Sequence, residues 1–591
     1  MTLTPPRTVQ HNQLGDHSVD ARMLVLALMA PVVGTGGALG AWVLLKLIAI
    51  ATNLFWFGRL SAESADIAAT GLGLGMLFIP VIGGLIVGLM ARFGSEKIRG
   101  HGIPEAIETI LYGESRLSPK VAVLKPISSA ISIGSGGPFG AEGPIIMTGG
   151  ALGSLFAQCF NLSAAERKTL LVAGAAAGMT AIFGTPLAAI LLAVEVLLFE
   201  WKPRSFVPVV VAVLVAFAWR PWLVGIGPMF PTTAMPPTEG WPILDAAGIG
   251  VIVGAGAALL SATLYRLEDL FHRLPVHWMW WPAIGAVLVG IGGLLDPRVL
   301  GAGYASIQAL LDASVPLKLV VILLLVKAIV WLVALASGTS GGILAPILIL
   351  GGAIGTLLGQ FLPGDTGFWA MIGMAGIMSG AMRAPMTGAL FAAEATGHFE
   401  ALPYAIAAAA AAYAISVLLT RRSILTEKIA RRGRHVLQEY TVDPLDLQQA
   451  GQLMTPNPAT LAGSMGIGAA LAFFASPEAR FRSYPVVDAD GRLIGLASRT
   501  DALRWQVEQT SPDITLAEAL SDAAQPVAYP ETPSGVVADL IIESGVGRIP
   551  IVDRTTHRVV GILSRQDLLK PRGMSRQAES GRSRFSSDTA D

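Results

Sequence analysis

Residues 140–144 read Gly-Ala-Glu-Gly-Pro, and Glu142 carries the only formal charge between residues 126 and 165. An ionisable side chain inside so long an apolar stretch is costly in a membrane and therefore indicates function. Pro144 and the acid before it also favour a helix that starts here. A buried helix start has free backbone N–H groups, which attract anions. We therefore interpret Glu142 as a carboxylate that competes with an anion at a helix N-terminus; simple helix capping is the alternative.

The charged residues are distributed unevenly along the 591 positions. Residues 22–420 carry 39 Asp, Glu, Lys and Arg in 399 positions, whereas residues 421–591 carry 40 in 171 positions. Segments 169–194 and 401–420 contain no formal charge. Each is at least as long as the about 20 residues that a helix needs to cross a bilayer. This pattern excludes a wholly soluble enzyme and a disordered protein. It predicts about ten or more membrane helices, several of them short or tilted, followed by a soluble tail.

Other compositional features narrow the class of protein. The single cysteine, Cys159, excludes an internal disulfide and argues against a cysteine-based metal site, and no metal is predicted. No constellation for hydrolytic or redox catalysis is present, so an enzyme is not predicted. Basic residues cluster directly after the last apolar run, between 421 and 434, and such flanks stay in the cytoplasm. The polar first 20 residues do not read as a signal peptide.

Two parts of the apolar body repeat one spacing. Residues 144–178 share the positions of their Pro, Gly and Gln with residues 346–380, at a constant offset of 202. The offset falls to 199 for segment 186–195, which matches segment 385–394. Repeated halves are typical of transporters and channels, with the binding site where the halves meet. Coincidence is the alternative, because Gly and Ala are common here.

Two further breaks are similar to the one at residues 140–144. They read Gly100-His-Gly-Ile-Pro104 and Gly342-Ile-Leu-Ala-Pro346. Three such breaks that converge would hold a dehydrated anion with backbone N–H groups. In this order within a repeated apolar body, the motifs resemble those of the CLC chloride channel and transporter family, over about residues 20–430. The resemblance implies an all-α polytopic membrane protein with an inverted internal repeat, in which each subunit of a homodimer has its own anion pathway.

The resemblance also implies roles for residues in the three breaks. Glu142 matches the family's gating glutamate, whose carboxylate occupies the anion path until it is protonated or displaced. The transport itself requires no cofactor. The positions that match anion-binding residues are His101, Gly102, Ile103, Gly143, Ile343, Leu344 and Leu425.

Four matched positions depart from the family pattern. His101 stands where the family usually has a serine that contacts the central anion. Either its imidazole donates a similar hydrogen bond, or it points away and backbone N–H groups suffice. Leu344 replaces a phenylalanine, Ala141 replaces a basic residue, and Leu425 replaces the pore tyrosine and so removes a hydroxyl from the inner gate. These departures bear on chloride selectivity more than on anion transport.

A single position distinguishes a channel from a proton exchanger. Proton-coupled members generally carry two consecutive glutamates on the helix after a Pro-Leu-Ala segment. Here Glu195 matches the first, while the proton-relay position is lost because Val196 cannot titrate. Glu200, about one helical turn further on, is an alternative relay. The sequence predicts a passive chloride channel; the alternatives are a proton-coupled chloride or fluoride antiporter, and a non-conducting membrane-bound nucleotide sensor.

The soluble tail contains a repeat of its own. Tyr484-Pro-Val-Val-Asp488 parallels Ile549-Pro-Ile-Val-Asp553, and each is followed by a Gly-x-x-Ser-x-x-Asp motif. Each unit reads as helix, strand, turn, strand and helix. The pattern resembles a cytoplasmic α/β pair of CBS modules, which often binds an adenine nucleotide such as ATP or AMP. The matching nucleotide-binding positions are Ser498, Asp501, Ser564 and Asp567. Helix capping by these Ser and Asp side chains is the alternative.

The predicted organisation follows from these patterns. The segments are a polar N-terminal segment 1–21, the anion pathway 22–430, a linker 431–450, CBS modules at 451–508 and 509–572, and a disordered tail 573–591. The location is the cell (inner) membrane, with both termini in the cytoplasm. The predicted partners are chloride or a related small anion, the lipid bilayer, a second copy of the chain and an adenine nucleotide, but no nucleic acid.

Overall fold

A computed structural model describes residues 22–434, 448–521 and 526–569, together with residues 436 and 445. The chain divides into two units near residue 440. The predicted N-terminal segment 1–21, much of the predicted linker and the tail 573–591 lie outside the described residues.

The described residues of the first unit form helices joined by loops. Its helices are α1 Arg22–Phe57, α2 Gly75–Phe93, α3 Ile103–Tyr112, α4 Pro119–Gly134, α5 Glu142–Gln158, α6 Ala164–Phe183, α7 Pro186–Leu192, α8 Pro203–Leu223, α9 Pro242–His272, α10 Trp281–Leu295, α11 Tyr304–Leu311, α12 Leu317–Ala336, α13 Leu344–Gly359, α14 Thr366–Met382, α15 Pro385–Thr396, α16 Leu402–Leu419 and α17 Thr426–Arg431. A π-helical segment, Ala193–Leu198, continues α7.

The lengths of these helices fit a membrane protein with broken spans. Among the described residues, seven helices are long and apolar enough to cross a membrane, namely α1, α2, α8, α9, α10 with its preceding turn, α12 and α16. The α7 helix with its π-helical segment, α13 and α14 are shorter and also apolar. Proline at the first helical position in α7 and α15, and at the second in α3, helps to set where these helices begin.

The internal repeat extends over eight helices in each half. Helices α1–α8 match α9–α16 one by one, and α17 follows the second half. The packing repeats as well, because α5 packs on α6 as α13 packs on α14, and α1 packs on α8 as α9 packs on α16. Two pairs of counterparts, α2 with α10 and α7 with α15, also pack directly on each other. The sequence alone indicated the repeat only from α5 to α7 and from α13 to α15.

The second unit contains two small sheets. Its helices are α18 Ala450–Leu453, α19 Ile467–Ala475, α20 Arg499–Val507, α21 Leu516–Ala519 and α22 Ser534–Ser544. Its strands are β1 Thr455–Pro456, β2 Leu461–Ala462, β3 Ser483–Val487, β4 Leu493–Ser498, β5 Arg548–Val552 and β6 Val559–Ser564. One sheet has the order β2-β3-β4 and the other β1-β6-β5, and each contains an antiparallel hairpin, as the repeated Pro-containing motifs predict.

The two sheets exchange segments across the predicted module boundary. Ala450 and Leu453 pack in the core beneath β5 and β6, although they precede β1. Leu516 and Leu520 pack in the core beneath β3 and β4. The predicted division between residues 508 and 509 therefore separates the modules in sequence, while each core takes in a segment from the other side.

Candidate anion site

The three Gly/Pro breaks meet at one place in the first unit. Gly140 and Gly342 pair as an isolated bridge, with N···O distances of 3.3 and 2.9 Å in the two directions. A Cβ atom on Gly143 would collide with the carbonyl oxygen of His101. A Cβ atom on Gly102 would lie 3.0 Å from the carbonyl oxygen of Gly143. The starts of α3, α5 and α13 therefore lie against one another.

Glycine is required at two of these positions for different reasons. Gly102 precedes α3 with φ +90°, a conformation that residues with a side chain rarely adopt. Gly143, in the first turn of α5, is needed for the close approach to His101. Ile343 and Leu344, both buried, occupy the position before α13 and its first residue. Backbone N–H groups in the first turn of each helix have no partner inside their own helix.

Glu142 is the first residue of α5 and is 1% exposed. Its Oε1 accepts a hydrogen bond of 3.3 Å from the hydroxyl of Tyr304. Among the described residues, its Oε2 has no hydrogen-bond partner. The oxygen faces Gly342, where a Cβ atom would lie 2.7 Å from it. The carboxylate thus lies at the start of α13 as well as at the start of its own helix.

His101 lines a cavity of about 950 Å³. The imidazole is 2% exposed, and within the described residues neither of its ring nitrogens has a hydrogen-bond partner. The cavity is also lined by ion pairs, including Lys428 to Glu105 at 2.8 Å and Arg434 to Glu108 at 2.7 Å. An unpaired buried imidazole is a hydrogen-bond donor without a protein acceptor, as an anion-binding group would be.

Two buried lysines fix the loops beside the breaks, and sequence reasoning missed their role. Lys125 Nζ donates to the carbonyl oxygens of Ile98 at 2.9 Å and Gly100 at 2.7 Å. Lys327, 202 residues later, donates in the same way to Val299 at 2.8 Å and to Gly301 at 3.0 Å. Both side chains are fully buried. The offset of 202 was the available signal, because it is the same offset that relates Gly140-Ala-Glu-Gly-Pro144 to Gly342-Ile-Leu-Ala-Pro346.

A fourth break, Gly301-Ala-Gly303 before Tyr304, was also missed. It lies 201 residues after the corresponding Gly100-His-Gly102 segment, and Gly303 has φ +74°. Tyr304 directly follows this break, and its hydroxyl contacts the carboxylate of Glu142. The motif lacks the Pro that all three other breaks contain, which is why the sequence pattern alone did not show it.

Leu425 is fully buried directly before α17, and it is not among the residues that line the cavity with His101. The hydroxyl of Tyr265 donates to the carbonyl oxygen of Ile424, the residue before Leu425, at 2.6 Å. Ile103 begins α3 and is buried beside the first break.

Position 196, which matches the proton-relay glutamate of proton-coupled members, lies in the apolar core of the first unit. Val196 is fully buried in the π-helical segment after α7. Glu195 accepts hydrogen bonds from the backbone N–H groups of Met386 and Thr387, so its carboxylate caps α15. Glu200 accepts from the Ser205 hydroxyl at 2.7 Å.

The environment of Glu200 keeps this carboxylate charged. Burial raises its pKa, but the Ser205 hydrogen bond and the charges of Lys168, at 3.6 Å, and Lys202, at 3.4 Å, outweigh burial. The net effect lowers the pKa of Glu200 below its ordinary value. A carboxylate held in this way is a poor proton carrier at neutral pH.

The four candidate residues of the tail form two capping arrangements. Ser498 Oγ lies 2.6 Å from Asp501 Oδ2 and accepts from the Asp501 backbone N–H at the start of α20. Ser564 and Asp567 repeat this arrangement, also with a distance of 2.6 Å between hydroxyl and carboxylate. The structure therefore shows the capping role of these residues in both modules.

Comparisons with known proteins agree with this architecture. The family described as "Voltage gated chloride channel" matches residues 83–417, and the CBS domain matches residues 450–508 and 511–571. The relative "Voltage-gated ClC-type chloride channel ClcB" of Shigella flexneri is 30% identical over 377 residues, covering 60% of this chain and 87% of the relative.

Two solved structures share the fold. One is "a slow cyanobacterial Cl-/H+ antiporter", 20% identical with a TM-score of 0.61, covering 70% of this chain and 99% of that chain. The other is "a CLC-type fluoride/proton antiporter", 19% identical with a TM-score of 0.59, covering 68% of this chain and 97% of that chain. The family match spans more than half of the chain. The chain therefore belongs to the voltage gated chloride channel (CLC) family of multi-pass membrane proteins that transport anions, and it carries two CBS domains.

Proposed function

We propose that this protein is a passive chloride channel in which the Glu142 carboxylate competes with the anion for its place. The observation that carries the proposal is the meeting of three helix starts at a buried carboxylate. Gly140 and Gly342 are paired, Gly143 contacts His101, and the second oxygen of Glu142 has no hydrogen-bond partner among the described residues. Backbone N–H groups at buried helix starts stabilise an anion without a mobile counter-ion.

The buried His101, in the break at residues 100–104, supports a second contact with the anion. Its ring nitrogens have no hydrogen-bond partner in the described part of the chain, and it lines the cavity whose basic residues include Lys428 and Arg434. A neutral imidazole offers one N–H donor, which is the same hydrogen bond that a serine hydroxyl would supply. In this proposal the anion reaches His101 through the cavity and then the place that Glu142 occupies.

The lack of a titratable side chain at position 196 supports a channel over an exchanger. Val196 is buried and cannot carry a proton. The carboxylate of the neighbouring Glu195 accepts hydrogen bonds from the start of α15, and Glu200 forms ion pairs with two lysines. Obligatory proton exchange would need a group on this side that gains and loses a proton easily.

The reversal potential of the reconstituted protein tests this proposal. We expect the current to reverse at the potential set by the chloride gradient alone, whether or not a pH gradient is imposed across the membrane. A reversal potential that shifts with the pH gradient would instead establish proton-coupled antiport. If this shift is found with fluoride in place of chloride, the protein is a fluoride antiporter. Flux no greater than that of empty vesicles would favour the non-conducting sensor.

The proposal includes the setting in which the channel operates. The protein is a homodimer in the cell (inner) membrane with both termini in the cytoplasm. The Arg421, Arg422 and Lys428 side chains directly after the last apolar helix support this orientation. Cross-linking of single cysteines and their labelling from either side of sealed vesicles would test both statements.

The CBS domains are proposed to regulate the channel through an adenine nucleotide. The support is the repeated pair of a hydroxyl and a carboxylate in both modules, Ser498 with Asp501 and Ser564 with Asp567. Nucleotide binding would compete with the hydrogen bonds that these groups make with each other. Titration of the full chain with AMP and ATP by calorimetry, with Asp501→Ala and Asp567→Ala as variants, tests this part separately.

A further inference from the structure

The phenol of Tyr304 lies directly beside the carboxylate of Glu142. Its hydroxyl donates to Glu142 Oε1 at 3.3 Å and accepts a hydrogen bond from the Ala141 backbone N–H at 3.2 Å. Because the Ala141 N–H occupies a lone pair of the phenol oxygen, the hydroxyl hydrogen is directed to the carboxylate. Within the described residues, Tyr304 is the one side chain that donates to Glu142.

The position of Tyr304 is fixed from the backbone side. It begins α11 directly after the break at residues 301–303. Lys327 holds the carbonyl oxygens of Val299 and Gly301, and the Gly301 N–H donates to the Gly136 carbonyl at 3.0 Å. Three hydrogen bonds thus hold the segment that precedes Tyr304, and one of them reaches the loop before α5. The segment is therefore held in place relative to the start of α5.

The aromatic ring is held by its neighbours. Phe183 contacts it edge-on, with ring centroids 6.4 Å apart, and Phe230 lies with its centroid at 6.0 Å. These two contacts limit rotation of the ring, so the hydroxyl stays within reach of one carboxylate position. A hydrogen bond from a fixed donor stabilises that position more than alternatives in which the carboxylate has moved away.

We propose that Tyr304 is a positioning residue that holds the Glu142 carboxylate in the anion's place. The inference rests on the proposed function, because it assumes that the carboxylate and chloride compete. The hydroxyl then sets how much chloride is needed to displace the carboxylate. Removing it weakens the competitor and leaves the backbone N–H groups of the path unchanged.

The test measures chloride efflux from vesicles over a range of chloride concentrations for the Tyr304→Phe variant. At low chloride, we expect the rate to rise by about three- to tenfold, the effect of one hydrogen bond of ordinary strength, since the Tyr304–Glu142 bond is long at 3.3 Å. The half-saturating chloride concentration falls accordingly, while the rate at saturating chloride stays at the wild-type value. A folding defect would lower the saturating rate and leave the half-saturating concentration unchanged.

Two further variants make the result specific. Tyr404→Phe is the matched control, because Tyr404 packs edge-on against Phe368 and its hydroxyl makes no hydrogen bond in the described structure. The Tyr304→Phe change is also made in a Glu142→Ala background, where it should have no effect. An unchanged or lower rate in the wild-type background, or an equal change in both backgrounds, overturns the proposal.

The same measurements distinguish failure of the Glu142 gate from failure of the role of Tyr304. A Glu142→Ala variant with wild-type flux at every chloride concentration refutes the gate itself, and with it the role of Tyr304. Altered flux in Glu142→Ala together with unaltered flux in Tyr304→Phe refutes the role of Tyr304 alone. Phe230→Leu, which removes a ring contact and keeps the hydroxyl, should have a smaller effect than Tyr304→Phe.

Discussion

Glu195 and Glu394 each cap the helix that carries the other. Glu195 accepts from the backbone N–H groups of Met386 and Thr387 at the start of α15, and from the Thr387 hydroxyl at 2.6 Å. Glu394, on α15, accepts from the N–H groups of Leu187 at 2.9 Å and Ala188 at 2.8 Å at the start of α7. This exchange relates α7 and α15, counterparts in the two halves of the first unit, by an approximate local twofold rotation.

The exchanged caps predict a shared loss of stability. Glu394→Ala and Glu195→Ala each remove an acceptor from two backbone N–H groups, so each should lower the free energy of unfolding by about 1–3 kcal/mol. The double variant should lose less than the sum, because the two helix starts pack on each other. Thermal unfolding in detergent, followed by tryptophan fluorescence, measures these losses.

Glu400→Ala serves as the control for the caps. Its side chain is exposed and makes no hydrogen bond in the described structure. We expect its unfolding midpoint to stay at the wild-type value. Glu195→Ala and Glu394→Ala midpoints equal to that of Glu400→Ala would show that the exchanged caps contribute nothing.

The contact between Gly143 and His101 predicts a strong effect of one methyl group. In Gly143→Ala, the new Cβ atom would collide with the His101 carbonyl oxygen and push the starts of α3 and α5 apart. The overlap should cost about 1–3 kcal/mol and reduce chloride flux by about tenfold or more, because the helix starts no longer face one anion. Vesicle efflux measures this effect.

Gly36→Ala is the matched control for the methyl group. Gly36 lies within helix α1, and a Cβ atom there has nothing within 4 Å. We expect wild-type flux for this variant and a slight gain in stability, since alanine favours a helix over glycine. Equal flux for Gly143→Ala and Gly36→Ala would show that the two breaks are not in close contact.

Much of the fold could be predicted from the sequence because its signals are local. The Gly-Ala-Glu-Gly-Pro motif marks a helix start, and the structure begins α5 at Glu142. The repeat from Pro144 onward corresponds to α5–α7 and α13–α15. The Pro485 and Pro550 motifs of the tail each lie in the first strand of a hairpin. In each case, residues close in sequence determine the structure.

The remaining parts of the site depend on contacts between distant segments. Tyr304 and Glu142 are 162 residues apart, and nothing near Tyr304 in the sequence identifies its partner. Lys125 and Lys327 interrupt apolar runs, and a single lysine in such a run does not show which carbonyl oxygens it will contact. The match of α1–α4 with α9–α12 was also missed, because few of their residues repeat, Lys125 with Lys327 and the Gly100 and Gly301 segments among them.

The hairpin loop between β5 and β6 predicts a pH-dependent change in local stability. The Thr555 hydroxyl, at 2.7 Å, and the Thr556 N–H and hydroxyl, at 2.8 Å each, hold the pKa of Asp553 below its ordinary value. The folded pKa is thus lower than the unfolded one, which is about 3.9. The stabilisation is present above the unfolded pKa and is lost as the pH falls below it.

Hydrogen–deuterium exchange of the full chain measures this loop directly. At neutral pH, Asp553→Asn removes the charge as protonation would, and Asp553→Ala removes the acceptor as well. We expect the Thr555 and Thr556 amides to exchange faster in Asp553→Asn than in the wild type, and fastest in Asp553→Ala. The exposed Asp539→Asn should leave them unchanged. Equal exchange in all four proteins would contradict the role of Asp553.

Bromide, which scatters anomalously and replaces chloride, tests the central claim most directly. Crystals of the wild type and of Glu142→Ala are soaked in bromide, and the anomalous peaks are compared. We predict that Glu142→Ala gains a peak where the carboxylate stood, next to the Tyr304 hydroxyl and the start of α13. The same peak at full height in the wild type, or its absence from Glu142→Ala, would contradict competition between carboxylate and anion for one place.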